Sequence, residues 1–149
     1  MGGVNCEFVC NFASYFIKRL IKILYTMYFS QLEKRAILTF ANGMIAADGK
    51  VAAKELFAAH SWLKLVGYSD SDMSMDNLEA SQAMTVISNL TYDEKRVVTS
   101  ILITIMIADG NIDDKERAMI NLITSFCDLP EMNSEDIKKT LKDLSEGKI

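Results

Sequence analysis

Residues 107–116 read Ile107-Ala108-Asp109-Gly110-Asn111-Ile112-Asp113-Asp114-Lys115-Glu116, and a related stretch, Ala46-Ala47-Asp48-Gly49-Lys50-Val51-Ala52-Ala53-Lys54-Glu55, lies 61 residues earlier. Both stretches place Asp-Gly at the end of an apolar segment and a glutamate six residues after the glycine. Glycine readily adopts the left-handed backbone conformation that ends many helices. Each stretch is therefore predicted to be a turn between two helices.

The similarity extends outward from these turns, because residues 30–67 align without gaps onto residues 91–128. Each copy opens with a capping-box pattern, formed by Ser30 with Glu33 and by Thr91 with Glu94. Apolar residues then recur at helical spacing up to the Asp-Gly turn and again after it. The sequence thus predicts two copies of a helix–turn–helix unit, arranged as two pseudo-symmetric helical hairpins.

The composition agrees with a helical protein. Half of the 149 residues are hydrophobic and the chain contains one proline. Residues 68–77 are interpreted as a loop or a short helix, residues 78–89 as a helix, and Ser134 as the cap of a last helix that ends near Ser145. We expect an all-α fold of about seven helices, with residues 30–149 forming one bundle and residues 1–29 forming an amphipathic N-terminal helix.

The N-terminal segment has an apolar stripe at helical spacing, made of Phe8, Phe12, Tyr15, Phe16, Leu20, Ile23, Leu24 and Met27. Lys18, Arg19 and Lys22 interrupt the apolar stretch, which argues against a spanning helix and against a cleaved signal peptide. Two interpretations stay open. Residues 7–29 are either the first helix of the bundle or a helix that lies in a membrane surface with its basic residues near the lipid headgroups.

Charge and reactive residues narrow the class of function. The net charge is −4, and residues 41–149 carry eleven basic and eighteen acidic side chains, which argues against nucleic-acid binding and suits cations or a basic protein partner. Three cysteines and one histidine do not form a disulfide framework, a multi-histidine metal site or the usual nucleophile–base pair. We expect a non-enzymatic cytoplasmic protein. The alternative location is a peripheral one, at the inner face of the membrane.

The two Asp-Gly turns are the candidate functional site. Their pattern resembles the second half of an EF-hand loop, which supplies a carboxylate, a sharp turn, a core anchor and a bidentate glutamate. The candidate metal ligands are Asp48, Glu55, Asp109, Asp113 and Glu116. The leading ligand positions of an EF-hand are occupied by Met44, Ala46, Ile105 and Ile107, whose side chains cannot bind calcium. The sequence therefore predicts no required cofactor and, at most, a weak Ca²⁺ or Mg²⁺ site.

The same residues can also be explained without a ligand, as residues that shape the turns. In this explanation the glycines end helices, the apolar residues after them anchor the turns, and Asp113 forms a capping box with Glu116. Asp48 and Asp109 fall at helix C-termini, where the helix dipole disfavours a carboxylate by about 0.3–1 kcal/mol. That placement in both copies indicates a partner for each aspartate: a backbone N–H, a lysine or a cation.

The duplicated Ala-Asp-Gly-x-(Val/Ile)-x-x-x-Glu motif, best developed in residues 107–116, resembles the TerB-like tellurite-resistance family over about residues 30–130. The resemblance implies an all-α fold, no enzymatic activity and a role in a tellurite or general stress-response complex. It also implies that Asp48, Glu55, Asp109 and Glu116 face a metal or partner site. We expect an adaptor that binds a protein partner through an acidic face. The alternative is a membrane-surface scaffold anchored by its N-terminal helix.

Overall fold

The computed structural model of the protein describes residues 29–47, 49, 52–108, 110 and 112–149. Over these ranges it contains seven α-helices and no β-strand, so the predicted all-α class is confirmed. The helices are α1 (Gln31–Ala46), α2 (Ala53–Leu65), α3 (Asp70–Met73), α4 (Ala80–Ser88), α5 (Tyr92–Ile107), α6 (Asp114–Cys127) and α7 (Ser134–Ser145). The predicted N-terminal helix, up to residue 28, lies outside the described residues, as do Asp48 and Asp109.

The first helices of the two copies begin in the same way. Ser30 caps α1 and Thr91 caps α5, and in both cases the hydroxyl accepts from the backbone N–H of a glutamate, Glu33 or Glu94. Each glutamate side chain in turn accepts from the backbone N–H of the capping residue, at 2.9 and 3.0 Å. Both predicted capping boxes are confirmed, and α1 and α5 each run for 16 residues.

The helices of the two copies interdigitate within one bundle. The most extensive helix contacts are those of α1 with α4, of α2 with α5 and of α1 with α5. Helix α4 also packs against α6, and α7 packs against α5. The second helix of the first copy therefore contacts the first helix of the second copy more extensively than it contacts α1.

The stretch between the copies contains the short helix α3, one of the two structures predicted for residues 68–77. Helix α4 begins at Ala80, two residues after the predicted start. The backbone N–H of Leu78 donates instead to Thr39 Oγ1 at 2.9 Å, which fixes this residue to α1 before the helix begins.

A nearly buried ion pair ties α3 to α1. Lys34 Nζ lies 2.9 Å from Asp72 Oδ2, and the two side chains are 11% and 12% exposed. The hydroxyl of Tyr68 donates to the carbonyl of Lys34 at 2.9 Å, and the Lys34 ammonium lies over the Tyr68 ring. The pair thereby fixes the connection after α2 to the first turn of α1.

A second ion pair joins α5, in the other copy, to α7, which follows that copy. Arg96 and Lys139 both contact Asp143, at 3.2 and 2.9 Å. Hydrogen bonds from Lys139 and Arg96 lower the pKa of Asp143. Each first helix is thus connected by an ion pair to the segment that follows its own copy.

The apolar residues that recur at helical spacing in α1 are mostly buried. Ala36, Phe40 and Met44 are buried, but Leu32 is 52% exposed. Leu32 is the second residue of the helix, and it lines an open surface hollow with Gln82 and Val86 of α4. Within the described part of the chain, no helix has both the length and the hydropathy needed to cross a bilayer.

We expect Asp72→Asn to lower the Tm at pH 7, because it leaves the ammonium of Lys34 without its anionic partner in a nearly buried position. Lys34 and the backbone of Ser69 lower the pKa of Asp72 below the ordinary value of 3.8. The carboxylate therefore stabilises the folded state above about pH 4, and this contribution is lost as the pH falls below that value. Thermal unfolding followed by circular dichroism at pH 7 and pH 2.5 should show the difference between variant and wild type shrinking with acidification.

Asp70→Asn is the matched control, since its carboxylate is 93% exposed and 3.7 Å from Lys64. Exposed pairs of this kind contribute little to stability. Equal changes in Tm for the two variants would contradict the importance of the Lys34–Asp72 pair.

Candidate functional site

The two Asp-Gly turns have the same backbone form wherever both are described. Gly49 has φ +78° and Gly110 has φ +75°, the left-handed conformation predicted for the end of a helix. Each glycine N–H donates at 3.0 Å to the carbonyl at the last position of its helix, Ala46 or Ile107. The two turns therefore reverse the chain at corresponding points of the repeat.

Glu55 and Glu116 occupy the third position of α2 and α6, directly after the turns. They are 0% and 1% exposed, which is unusual for a glutamate. These two candidate ligands therefore lie inside the bundle at the base of the turns, and they do not contribute to a solvent-facing acidic surface.

Asp113 is the N-cap of α6, but it does not cap in the predicted way. Its carboxylate accepts from the backbone N–H of Lys115 at 2.7 Å, whereas a capping box would use the N–H of Glu116. The predicted capping box of Asp113 with Glu116 is therefore wrong. Asp113 does cap α6, but the backbone N–H that it accepts from belongs to Lys115. Ala52 occupies the same position of the first copy with a similar backbone conformation, and its side chain cannot accept a hydrogen bond.

The residues fit only part of an oxygen shell for a divalent cation. Met44 and Ile105, at a leading ligand position of the EF-hand pattern in each copy, are 0% and 1% exposed and belong to the hydrophobic core. No group of three His, Cys, Asp or Glu suited to a metal occurs among the described residues, a set that excludes Asp48 and Asp109. A weak cation site therefore stays a prediction, and an EF-hand with its first half intact is excluded by the residues present.

The sequence interpretation missed an exposed row on α6. Asp114, Ala118, Leu122 and Phe126 follow one another at intervals of four residues, and all four are exposed. Leu122 is 58% exposed and Phe126 is 61% exposed. We call these four residues the α6 row. Helical spacing alone does not separate the exposed Leu122 from Ile123 beside it, which is buried.

An apolar groove between α2 and α5 was also missed. A signal for it was present in the sequence, because α2 carries apolar residues on more than one side: Leu56, Phe57, Ala59, Trp62, Leu63 and Leu65. A helix that is apolar on several sides needs more than one packing partner.

The histidine and the described cysteine lie in different environments and do not form a nucleophile–base pair. His60, the one histidine of the chain, is an exposed residue of α2. Cys127 is buried at the end of α6, where its thiol donates to the carbonyl of Met84 at 3.4 Å and burial raises its pKa. A buried thiol with a raised pKa is a poor nucleophile, so Cys127 acts as a packing residue.

No protein-family model matches the chain, and no curated protein matches it. The crystal structure of PG1108, a protein of unknown function from Porphyromonas gingivalis, is similar over 79% of this chain and 99% of its own, with 34% sequence identity and a TM-score of 0.68. The chain belongs to the same family as PG1108. The helical fold is therefore shared with PG1108 over that part of the chain.

The caps of α2 and α6 provide a matched pair of substitutions within this family fold. We expect Asp113→Ala to lower the free energy of unfolding by about 1 kcal/mol, because the N–H of Lys115 loses its acceptor. Ala52→Asp should raise it by up to about 1 kcal/mol, because an aspartate there can cap α2. Urea unfolding followed by circular dichroism measures both changes.

Asp114→Ala is the control, because it removes an acidic side chain but no cap. It should change the free energy of unfolding less than Asp113→Ala does. The reverse order would contradict the capping role.

Titration with Ca²⁺ and Mg²⁺, followed by NMR, tests the predicted cation site. We expect amide signals of residues 110–116 to shift with an affinity no tighter than about 10⁻⁴ M, since the first half of the calcium-binding pattern is missing. The same titration of Glu116→Gln should abolish the shifts. Micromolar affinity would overturn the expectation of weak binding. Amide signals of residues 110–116 that stay unchanged at an ion concentration ten times above about 10⁻⁴ M would exclude the site.

Proposed function

We propose that this protein is a non-enzymatic, TerB-like interaction module that binds a protein partner through the α6 row. The exposed apolar end of that row is the observation that carries the proposal. The sequence resemblance described above adds a role in a tellurite or general stress-response complex.

The apolar end of the row consists of two large exposed side chains. Leu122 and Phe126 lie one turn apart, with 58% and 61% of their surfaces exposed. Exposed aromatic and aliphatic side chains that lie together are typical of surfaces that bind other proteins. Helix α4 packs against α6 and leaves both residues exposed, so the seven described helices do not supply their cover.

The other end of the row is acidic. Asp113 and Asp114 lie at the start of α6, and residues 41–149 carry seven more acidic than basic side chains. This arrangement suits a partner segment with apolar side chains at one end and a lysine or arginine at the other. The charges would speed association and set the orientation, while Leu122 and Phe126 would supply most of the affinity.

The non-enzymatic part of the proposal is supported by the side chains available. The chain's one histidine is exposed on α2, whereas the described cysteine is buried. Glu55 and Glu116 lie inside the bundle, where they are inaccessible to a substrate. An interaction surface uses none of these groups.

Site-specific photo-cross-linking in cells that produce the protein tests the proposal. Benzoylphenylalanine placed at Leu122 or at Phe126 should capture the same protein. Placed at Tyr92, an aromatic residue that is 68% exposed on α5, it should not. The captured protein, once purified, should bind the wild type and lose at least about tenfold in affinity with Leu122→Ser. It should also bind Asp113→Lys/Asp114→Lys more slowly.

Two results would refute the proposed surface. One is the absence of a captured protein at either position of the row. The other is capture of the same protein from Tyr92 as from Leu122 and Phe126, which would indicate contact without specificity.

A further inference from the structure

An apolar groove runs along the surface between α2 and α5 and reaches α7. It consists of two adjoining hollows of about 560 and 350 Å³. Thr104 of α5 contributes to both hollows, and Leu141 of α7 lies at one end. The α2 side is an exposed row with intervals of four residues: Ala53, Phe57, Ser61 and Leu65. We call this surface the α2–α5 groove.

The groove leaves large apolar side chains in water and carries a positive charge at one end. Phe57 is 76% exposed and Leu65 is 48% exposed. Lys54, an exposed residue at the start of α2, is the one charged residue among the described residues that line the two hollows. The groove therefore has an apolar end at Leu65 and a positively charged end at Lys54, as expected of a partner for the α6 row.

The α6 row and the α2 row of the groove occupy the same positions of the repeat. The offset of 61 residues relates Asp114, Ala118, Leu122 and Phe126 to Ala53, Phe57, Ser61 and Leu65, in that order. Every residue of the two rows is exposed. Both rows extend over the same length of helix, about 18 Å. The α6 row is thus as long as the groove that α2 lines.

The side chains of the two rows are also complementary in size. At two levels a large residue of one row corresponds to a small residue of the other: Phe57 to Ala118, and Leu122 to Ser61. Specific interfaces are packed as densely as protein interiors, so a large side chain needs a small one opposite. When α6 of one copy lies parallel to α2 of another with corresponding positions level, each large side chain meets this condition, and Phe126 reaches Leu65.

The charges favour the same parallel direction. Asp114 corresponds to Ala53, the residue directly before Lys54, so the parallel arrangement brings its carboxylate to the charged end of the groove. The antiparallel arrangement would place this carboxylate against Leu65 and Leu141, where it would lose water without gaining a partner. The charges therefore set the orientation, while Leu122 supplies apolar contact area.

We propose that the partner of the α6 row is a second copy of this chain, which receives the row in its α2–α5 groove. The inference rests on the proposed function, because it names the partner of the same surface. The row and the groove are different surfaces, so a copy that offers its row keeps its own groove free. Such a contact is heterologous, and successive copies assemble head to tail into an open chain or a ring.

Two single variants of the full-length protein test this assembly by sedimentation velocity. The mass of the wild type should rise beyond that of a dimer as the concentration is raised to about 1 mM, the range of weak specific contacts. Leu122→Ser damages the row and Phe57→Lys damages the groove, each at an exposed position. Either variant alone should assemble with an affinity at least about tenfold lower. Tyr92→Lys, at an exposed aromatic residue outside both surfaces, is the control and should assemble like the wild type.

A mixture of the two variants gives the sharpest result. The intact row of Phe57→Lys fits the intact groove of Leu122→Ser, whereas the remaining row and groove are both damaged. Equal amounts should therefore form a one-to-one dimer and stop there. Leu65→Lys takes the place of Phe57→Lys if the latter loses helicity by circular dichroism.

Three results would overturn the proposal. One is a wild type that stays monomeric over the whole concentration range, as it would if another segment or partner covered the groove. The second is a mixture that does not associate, which would assign the contact to two rows or to two grooves. The third is an equal loss of assembly in Tyr92→Lys, which would indicate association without specificity.

Cross-linking from the α6 row separates failure of this inference from failure of the proposed function. In cells, benzoylphenylalanine at Leu122 should capture another copy of this chain. Capture of a different protein, together with a monomeric purified chain, would overturn the second copy as partner and leave the α6 row as an interaction surface. If neither Leu122 nor Phe126 captures a protein, the proposed function fails and this inference fails with it.

Discussion

The packing of α1 against α5 is the constraint on which the rest of the structure depends. These two helices have equal lengths, the same type of cap and the same type of glycine turn, and both contribute fully buried side chains to the core. Because each is followed by a turn at the same position, the second helices leave the central pair at corresponding points. Helices α2, α4, α6 and α7 are then arranged around this pair, which fixes where the turns, the groove and the α6 row lie.

Local features of this arrangement could be predicted from the sequence. The capping boxes of Ser30 and Thr91, the left-handed glycines and the ends of α1 and α5 follow from short-range chemistry, since a cap or a turn involves residues close together in the chain. The interdigitation of the copies could not be predicted in the same way. Which helix packs on which depends on side-chain shape, such as the close approach of Gly43 and Met119, and periodicity carries no information about it.

In the candidate site, too, positions along the chain could be predicted from the sequence, whereas burial could not. The position of Glu55 and Glu116 directly after the turns was predictable, but their burial was not, because a charged residue in a first helical turn is usually exposed. The exposure of Leu122 and Phe126 was likewise hidden, because an apolar residue at helical spacing is normally assigned to the core. Asp113 shows the limit of motif reasoning, since it caps α6 through the neighbouring N–H rather than through the expected one.

The contact of α2 with α5 also has a consequence for how the protein folds. Residues 53–65 find their main partner about 40 positions further along the chain, in the other copy, so neither half of the repeat contains a complete core of its own. The duplicated unit is therefore not an independently folding module. We therefore expect stable folding to require both copies, and two fragments separated between Leu65 and Ala80 to regain structure by associating with each other.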